Sequence, residues 1–552
     1  MEPESPRNQN KNKRPRNPNK LPSKLPRNQI CVNMTDCSYA LIEHVFENIL
    51  NWKTIKDDPE DYNCDIIWSD SSCNQDMLGK LKSYQKLNHY PGIVGIARKN
   101  FLAYHLNKMK KQFPEFYDFY PETYCLPSDR NHLVEEFKDV KRKTFIVKPE
   151  ASAQGRGIYL ARRLDDLPLT ENFVVQRYVD PLTIDGFKFD MRIYVLITSV
   201  SPLTIYMYKE GLSRFATEQY EKPCDKNLDD AYKHLTNYSI NKFSNKFEFS
   251  KDPDNATSGH KRSLESIRKF LDDNFQNSKE VFDDIKKLVI KTICTIQPIM
   301  KHIYSSCQSD DFTGNMCFQI LGFDVILSSE CKPLLLEVNH APSFNSDTPF
   351  DFRTKTELLA SAFKIMDINV ERRNFLIAAD KKKLAERLVT GKRNKLSTEE
   401  KEQLRNNYRL ELNNNIEERL GLFEQIMPDV TFDEPYEEFM AYATKIHREK
   451  TGVSNQKARP VSKVKPNITD KKIFSVAKKK KIKVKSPRKL ERILDSVNRL
   501  YRKSNTLNLE TNENRMNNAI NKKTRENSCK PNQAIVKTNI VTLQFPTEFN
   551  FK

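Results

Sequence analysis

Three side chains that can bind a metal or a polar substrate end an apolar segment near residue 337. In "LLLEVNHAPSFNSD", which starts at residue 334, Glu337 and Asn339 are two positions apart and His340 follows directly. Successive side chains of a β-strand point to opposite faces, so Glu337 and Asn339 would share one face. This arrangement is typical either of a metal or substrate site or of a solvated strand end.

A second apolar segment, "CFQILGFDVIL", carries Asp324 after a glycine. If the two segments pair as antiparallel strands, Asp324, Glu337 and Asn339 meet as hard oxygen ligands. Ligands of this type favour Mg²⁺, which commonly bridges nucleotide phosphates instead of occupying an all-protein cage.

Charged residues alternate in "IDGFKFDMRIYVLI", where Lys188, Asp190 and Arg192 would share one face of a strand. Three buried charges are costly unless they meet a ligand or one another. Ligand binding and a buried ion-pair network are therefore the two interpretations.

A lysine and a glycine-containing loop suit phosphate binding in "FIVKPEASAQGRGIYL", where Lys148 precedes Gly155 and Gly157. Such a loop lets backbone N–H groups approach phosphate oxygens while the lysine supplies charge. The GxxxxGK[ST] pattern of a Walker loop is absent, and an ordinary hairpin with a glycine turn is the alternative. Downstream, Gln176 in "VVQRYVD" would suit hydrogen bonds to an adenine edge.

Two further segments offer polar groups. Arg214 in "EGLSRFAT" could bind a carboxylate through its planar fork. Thr236 and Asn237 lie in the polar turn "HLTNYSINK". Either segment could equally be a surface loop.

The length, composition and charge of the whole chain limit these hypotheses. Its 552 residues predict about two to four units. The composition is 38% hydrophobic and 30% charged with a net charge of +19, which favours a polyanionic partner such as nucleic acid, an anionic membrane or an acidic protein surface. Eleven cysteines without CxxC pairs indicate reduced thiols. Since no apolar run approaches the roughly 20 residues of a membrane span, we expect a soluble intracellular protein.

The elements that must position these residues form an α/β (α+β) pattern. Apolar strand candidates recur through residue 338, and after about residue 370 the pattern is helical and charged, without strand signals. The predicted organisation is a disordered basic arm (1–30), an N-terminal α/β domain (31–140), central and C-terminal catalytic domains (141–365), a helical extension (366–450) and a basic, largely disordered tail (451–552).

The motifs "KPEASAQGRGI", "IDGFKFDMRIYVLIT", "GLSRFAT", "HLTNYSINK", "LGFDVIL" and "LLLEVNHAPSF" resemble, in this order, those of the tubulin tyrosine ligase-like family. Its polyglutamylase members are the most similar, over about residues 60 to 365. The resemblance implies an ATP-grasp-like fold and a basic helical extension that binds microtubules. The alternative for that extension is a solvated helix followed by a tail like a nuclear-localisation signal.

The resemblance also implies site residues. The ATP contacts would be Lys148, Gln154, Gly155, Gln176, Arg177, Tyr178, Val179, Lys188, Phe189, Asp190, Thr236 and Asn237. The Mg²⁺ ligands would be Asp324, Glu337 and Asn339. The catalytic groups would be Lys148, Arg192 and Glu337. The contacts to free glutamate would be Arg214, Tyr238, Ser239 and Lys261. The acceptor would meet Gln154 and His340, and a histidine at position 340 is typical of enzymes that extend a glutamate chain.

The reaction that the resemblance implies begins when a side-chain carboxylate of a tubulin C-terminal tail attacks the γ-phosphate of Mg-ATP and gives an acyl phosphate. The amino group of free L-glutamate then displaces phosphate. The expected protein is a monomer in the cytoplasm and on the cytoskeleton, with the cilium or basal body as a further site, and binds neither nucleic acid nor membrane.

Two departures from the family pattern are Ser152, in place of a glycine, and Ala341, in place of a serine. If position 152 needs φ > 0, closing the loop costs about 1 kcal/mol more. The alternative functions are a glycine or tyrosine ligase of the same architecture and an inactive microtubule-binding protein.

Overall fold

The structure is a computed structural model. It describes residues 25–56, 63–72, 75–138, 143–150, 152, 154–252, 256–390, 397–414, 416–428 and 432–451. The basic segment 471–490 and all but the first residue of the predicted tail 451–552 lie outside these ranges, as do residues 1–24 of the predicted arm. Strands and helices are both abundant, so the predicted mixed α/β class is confirmed.

The prediction of a disordered arm is wrong for residues 25–30. Ile30 is buried, and the guanidinium of Arg373 donates hydrogen bonds to the carbonyls of Pro26, Arg27 and Gln29 at 2.7, 2.8 and 3.0 Å. The segment has little apolar surface of its own. Its order comes from a charged partner that lies far away in the sequence.

The first sheet contains parallel strands in the order β2-β1-β3-β4. Its strands alternate with helices, which cover hydrophobic side chains such as Val32, Ile66 and Trp68. A five-residue π-helix, Val45–Ile49, follows the first helix. The elements are β1 (Cys31–Asp36), α1 (Ala40–His44), β2 (Lys53–Ile55), β3 (Ile66–Ser69), α2 (Gln75–Lys80), β4 (Lys86–Leu87), α3 (Val94–Ala97) and α4 (Lys99–Gln112).

The second sheet is antiparallel, with the order β5-β8-β6-β7. Phe145, Val147 and Val175 pack with Leu133 into a small core of its own. The elements are β5 (Thr123–Cys125), α5 (Arg130–Glu136), β6 (Phe145–Pro149), β7 (Tyr159–Ala161), a 3₁₀ turn (Leu164–Asp166) and β8 (Phe173–Arg177).

The third sheet is the largest, with the order β12-β11-β10-β13-β14 and with a short strand, β9, beside β10. Its strands are β9 (Thr183–Ile184), β10 (Phe187–Val200), β11 (Leu203–Gln219), β12 (Lys261–Ser263), β13 (Gln319–Leu327) and β14 (Pro333–Asn339). Its helices are α6 (Ala231–His234), α7 (Tyr238–Asn241), α8 (Leu264–Phe275), α9 (Ser278–Cys294), α10 (Gln297–Cys307) and α11 (Pro349–Ile365).

The register of this sheet places charged residues in one row across five strands. Asp190 of β10 lies opposite Arg214 of β11, and Arg214 lies opposite Lys261 of β12. On the other side, Arg192 lies opposite Asp324 of β13, which lies opposite Glu337 of β14. The two antiparallel strands predicted to bring Asp324 and Glu337 together are therefore present.

The two faces of β10 explain where this row ends. Met191, Ile193 and Val195 point into the main core, together with side chains of α8 and α9 such as Ile267 and Ile285. On the opposite face, the charges at positions 188, 190 and 192 give way to Tyr194 and Leu196, which pack in the core with side chains of α11. The face is thus polar only where α11 does not cover it.

The extension follows α11. It contains α12 (Val370–Thr390), α13 (Thr398–Asn413), α14 (Ile416–Leu420), β15 (Phe423–Met427) and α15 (Tyr436–Thr451). The prediction that this region has no strand is wrong, because β15 pairs antiparallel with β11 and buries Phe423 and Ile426. Only five residues long, β15 gains its stability from a sheet edge that the local sequence does not reveal. No helix of the described ranges is both long and apolar enough to cross a membrane.

Candidate active site

An open cleft lies between the second and third sheets. Strands β6 and β8 form one wall, and strands β10, β11, β13 and β14 form the other. The predicted site residues that line the cleft are Lys148, Gln176, Arg177, Tyr178, Val179, Lys188, Asp190, Arg214, Thr236, Asn237, Asp324 and Glu337. Those that do not line it are Gln154, Gly155, Phe189, Arg192, Tyr238, Ser239, Lys261, Asn339 and His340.

Lys148 is buried at the end of β6, and its ammonium donates to Gln176 Oε1 at 2.8 Å. The amide nitrogen of Gln176 in turn donates to the hydroxyl of Thr123 at 2.9 Å. Burial lowers the pKa of Lys148 to about 8, against the opposing attraction of Glu337. The side chain predicted to meet adenine thus holds the lysine predicted to meet phosphate.

Lys188 reaches the cleft from β10. Its ammonium donates to the Tyr178 hydroxyl and to the His234 carbonyl, both at 2.8 Å. Burial lowers the pKa of Lys188 to about 7, although Asp190 opposes this shift. Two lysines with lowered pKa values therefore face one cavity, an environment that favours the binding of negative charge.

Phe189 is a correction to the predicted nucleotide contacts. Its ring is buried in the main core and stacks on Phe215 with the ring centroids 5.2 Å apart. Because strand side chains alternate, Phe189 points away from the face that carries Lys188 and Asp190. Its side chain is part of the support of the site.

Arg214 was predicted to bind the carboxylate of the incoming amino acid. In the structure its guanidinium is bidentate to Asp190, at 2.7 and 2.6 Å, and also lies 2.8 Å from Asp324 Oδ2. Thr236 donates to Asp190 Oδ2 at 2.8 Å. The buried ion-pair network considered above as an alternative is therefore present, and Arg214 already has carboxylate partners within the protein.

Asp324 joins this network to β10. Arg192 donates to both of its oxygens, at 3.0 Å for the Nη2–Oδ2 contact. Burial alone would raise the pKa of Asp324, but the guanidiniums of Arg192 and Arg214 outweigh it and hold the pKa below its usual value. Gly322 makes room for Arg192, since a Cβ there would lie 2.8 Å from Arg192 Cδ.

The donor set near Glu337 fits a hard cation bound with phosphates. The amide nitrogen of Asn339 lies 3.3 Å from Glu337 Oε1 and 3.4 Å from Asp324 Oδ2, so the three predicted ligands meet at one point. Within the described ranges no group of three or more His, Cys, Asp or Glu side chains could hold a metal. Two carboxylates and an amide leave the remaining positions to water and phosphate oxygens, which is the usual manner of binding Mg²⁺.

The glycine loop closes against the third sheet. Gln154 and Gly155 have left-handed backbones with φ of 64° and 77°, and the Gln154 carbonyl accepts a hydrogen bond from Ser239 at 2.8 Å. A Cβ at Gly155 would lie 2.6 Å from Ile240 Cδ1 and 3.0 Å from Asn237 Cγ. The left-handed backbone at position 155 therefore favours glycine, and a larger residue there would require Ile240 and Asn237 to shift. The Ser152 hydroxyl donates to the Arg156 carbonyl at 2.7 Å, a bond that a glycine could not make.

Lys261 lies beside the ion-pair network. Its ammonium forms a buried ion pair with Asp351 of α11 and lies 4.4 Å from the ring centroid of Tyr238. Lys261 and Tyr238, both predicted to contact glutamate, are thus neighbours, but the Lys261 charge is already paired.

His340 faces a separate cavity of about 300 Å³ between β14 and the first sheet. Its ring centroid is 5.8 Å from that of His89, and burial lowers the pKa of His340. The structure thus places His340 beside the N-terminal domain, outside the cleft that contains Lys148.

Several residues of the site were missed by the sequence analysis. The Lys99 ammonium lies 3.9 Å from Glu337 Oε2 and donates to the Ser152 carbonyl at 2.7 Å. Asn100 donates to Glu150 at 2.6 Å, so the start of α4 holds the glycine loop. Thr123, His234 and Asp351 fix the lysines described above. Of these residues only His234 belongs to a quoted motif, "HLTNYSINK", and the fold alone brings the others near the cleft.

Comparison with known proteins gives consistent results. The sequence profile of the tubulin-tyrosine ligase family matches residues 77–374. The chain is 44% identical over 436 residues to a protein of Tetrahymena thermophila described as a probable beta-tubulin polyglutamylase, covering 77% of this chain and 36% of that protein. It is 40% identical to the tubulin polyglutamylase TTLL6 of Homo sapiens, covering 65% and 38% of the two chains. It is 37% identical to the tubulin polyglutamylase ttll6 of Danio rerio, covering 76% and 53%. The matched part thus spans about half or less of these relatives.

Proposed function

Since the chain belongs to the tubulin-tyrosine ligase family, we propose that it is an ATP- and Mg²⁺-dependent protein-glutamate ligase. Its acceptors are glutamate side chains in the acidic C-terminal tails of tubulin, and it extends existing glutamate chains. The observation that carries the proposal is the cleft in which Lys148, Lys188, Asp324 and Glu337 meet. The names of the similar proteins suggest the substrates.

The nucleotide is assigned to the cleft between the antiparallel sheets, in the manner of an ATP-grasp fold. Lys148 and Lys188 supply positive charge for the phosphates, and we assign the adenine to residues 176–179, which also line the cleft. Asp324, Glu337 and Asn339 offer oxygen ligands for Mg²⁺, which when bound places further positive charge beside the phosphates. Both lysines become fully protonated when phosphate enters, because an anion raises their pKa.

We propose the reaction that the family resemblance implies, and the arrangement of the cleft supports it. A carboxylate oxygen of the acceptor attacks the terminal phosphorus of ATP, the bond to ADP breaks, and an acyl phosphate forms. The glutamate amino group then attacks the acyl carbon, and phosphate leaves. The chain itself supplies no nucleophile: Lys148 and Lys188 stabilise developing negative charge, and Arg192 and Arg214 fix the position of Asp324.

The charge of the chain suits an acidic acceptor. A net charge of +19 accelerates encounters with a polyanionic tail, and this acceleration weakens as salt increases. We therefore propose an association with the cytoskeleton, to which the helical extension and the lysine-rich segment 471–490 contribute.

The decisive experiment supplies purified protein with tubulin, Mg-ATP and labelled glutamate, glycine or tyrosine in parallel. We expect incorporation of glutamate alone, and mass spectrometry of the tubulin tails gives chain length and position. Incorporation of glycine or tyrosine without glutamate would contradict the glutamate assignment. Microtubule binding without incorporation of any amino acid would instead indicate an inactive binding protein.

A further inference from the structure

A second cavity, of about 600 Å³, lies where the extension packs on the third sheet. Its walls come from Lys86 of β4, from the β10–β11 hairpin with Ser199 and Thr204, and from α13 with Arg405 and Arg409. Ser199 is nine residues along β10 from Asp190, a distance of about 30 Å in a strand. The cavity is thus remote from the cleft.

Its lining is strongly cationic. Lys86, Arg405 and Arg409 all line it, whereas the described side chains around it include neither aspartate nor glutamate. The carboxylate that acts on Lys86, Asp311, lies behind the lining, where it accepts hydrogen bonds from the Tyr304 hydroxyl at 2.7 Å, from the Gly314 amide at 2.8 Å and from the hydroxyl of the lining residue Thr313 at 2.7 Å. Burial and the charge of Arg372 lower the pKa of Lys86 to about 7. The described lining therefore contributes three basic side chains and no carboxylate, and Asp311 offsets part of this charge from behind.

Several donors at this cavity remain available. Lys86 donates to the backbone carbonyl and the side-chain oxygen of Asn315 at 2.6 and 2.9 Å, which leaves one of its three protons. Arg405 uses Nε for the Phe312 carbonyl at 2.8 Å, which leaves its two terminal nitrogens. Among the described residues we find no hydrogen-bond partner for the guanidinium of Arg409. The Tyr408 hydroxyl, which accepts a hydrogen bond from the Asn315 amide at 2.6 Å, keeps its own proton and belongs to a residue of the lining.

The lining also has an apolar and aromatic part, with Met366, Leu412 and Tyr206, beside small polar residues such as Thr198 and Ser199. Three cations match the charge of about −1.5 to −2 on a phosphate monoester better than the single charge of a carboxylate. The apolar side suits an organic group on that phosphate.

We propose that this cavity binds a small phosphate monoester with an apolar or aromatic group, and that the ligand fixes α13 to the catalytic core. The two sides of the cavity come from the core and from the extension, so one ligand contacts both. The inference does not depend on the proposed ligase activity.

The test measures binding of phenyl phosphate to the full chain by calorimetry, with orthophosphate in a parallel titration. Saturating Mg²⁺ and a non-hydrolysable ATP analogue occupy the cleft throughout. We expect phenyl phosphate to bind more tightly than orthophosphate, and Arg409→Gln to weaken it by about tenfold or more. Lys401→Gln is the matched control, because Lys401 lies on the same helix, outside the cavity, and donates to the Ser309 carbonyl. It should bind like the parent.

Amide hydrogen exchange locates the bound ligand. Exchange in α13 should slow when phenyl phosphate binds to the parent and to Lys401→Gln, but not at the same concentration with Arg409→Gln. Failure of phenyl phosphate to bind, equal affinity of the parent and Arg409→Gln, or unchanged exchange in α13 would each overturn the proposal. Tighter binding of orthophosphate than of phenyl phosphate would overturn the part that concerns the organic group.

Discussion

The two ends of the β10–β11 hairpin differ in how their basic side chains are paired. At the cleft, the partly buried Arg192 and Arg214 lie against the buried Asp190 and Asp324, so each guanidinium has a carboxylate. At the far end, Lys86, Arg405 and Arg409 surround a cavity that no described carboxylate lines. The arginines that fix the geometry of the cleft are neutralised by carboxylates of the protein. The basic side chains of the second cavity would instead be neutralised by the proposed ligand. Four substitutions or titrations test this contrast.

The largest effect is expected for Asp324→Asn. The change leaves two buried guanidiniums with one carboxylate between them, and breaking a buried ion pair costs about 3–5 kcal/mol. Urea unfolding should show this loss, together with loss of glutamate incorporation. As a control, Asp166→Asn removes a carboxylate that pairs with the exposed Arg163, and should change the stability by about 1 kcal/mol or less. Equal stability of the two variants would contradict the role of Asp324.

Glu337→Gln, at the cleft end of the hairpin, should affect the rate of glutamate incorporation but have little effect on the unfolding free energy. Glu337 is partly exposed, and its nearest cation, Lys99, is 3.9 Å away, so unfolding free energy should change by about 1 kcal/mol or less. If Glu337 is a Mg²⁺ ligand as proposed, loss of its charge should slow glutamate incorporation by about 10²-fold or more. A variant as fast as the parent would rule out Glu337 as a Mg²⁺ ligand.

The lysines of the cleft should take up protons when a nucleotide binds. Burial places the pKa values of Lys148 and Lys188 at about 8 and 7, below the ordinary 10.5, so at pH 8 both are partly neutral until phosphate arrives. Calorimetry with Mg-ADP in buffers of different ionisation enthalpy should give an uptake of roughly one proton at pH 8, decreasing toward pH 6.

The lowered pKa values of Lys148 and Lys188 also predict how the unfolding free energy of the ligand-free protein depends on pH. Between about pH 7 and pH 10 the unfolded chain binds more protons than the folded chain, so the contribution of these lysines to stability rises with pH. Lys188→Met should reduce the proton uptake, whereas Lys269→Met, at an exposed position of α8, should not. Equal uptake in the parent and Lys188→Met would contradict the assignment.

The smallest effect is expected for Arg409→Gln without ligand. Since Arg409 has no carboxylate partner among the described residues, its loss should change the unfolding free energy by about 0.5 kcal/mol or less. The same substitution at Arg192 leaves Asp324 with one guanidinium and should cost about 3 kcal/mol. Urea unfolding of the two variants in parallel compares the two ends of the hairpin directly. A large loss of unfolding free energy in Arg409→Gln would contradict the difference between the two ends.

Local sequence patterns predicted which residues line the cleft better than they predicted which side chains these residues contact. The alternation of Lys188, Asp190 and Arg192 follows from strand geometry, and pairing of β13 with β14 could be foreseen from two apolar segments. The same alternation should have excluded Phe189, which lies on the other face.

Long-range contacts were beyond the sequence. Nothing in the residues around Arg214 distinguishes a guanidinium that awaits a substrate from one that Asp190 and Asp324 already hold. Lys99 meets Glu337, and Asp351 meets Lys261, only because distant elements pack together. Strand β15 likewise depends on the edge of β11. Tertiary context decides such features, and propensity does not encode it.

The hydrogen bonds and the ion pair of Arg373 also have a consequence for the order in which the protein folds during synthesis. Asp65 is buried in the first sheet, and its partner Arg373 lies at 3.0 Å but is made about three hundred residues later. While the ribosome is still adding the intervening chain, the first sheet holds a carboxylate without its cation, and residues 25–30 lack the donors that fix their carbonyls. The N-terminal domain, although translated first, can therefore complete its native contacts only after α12 has emerged.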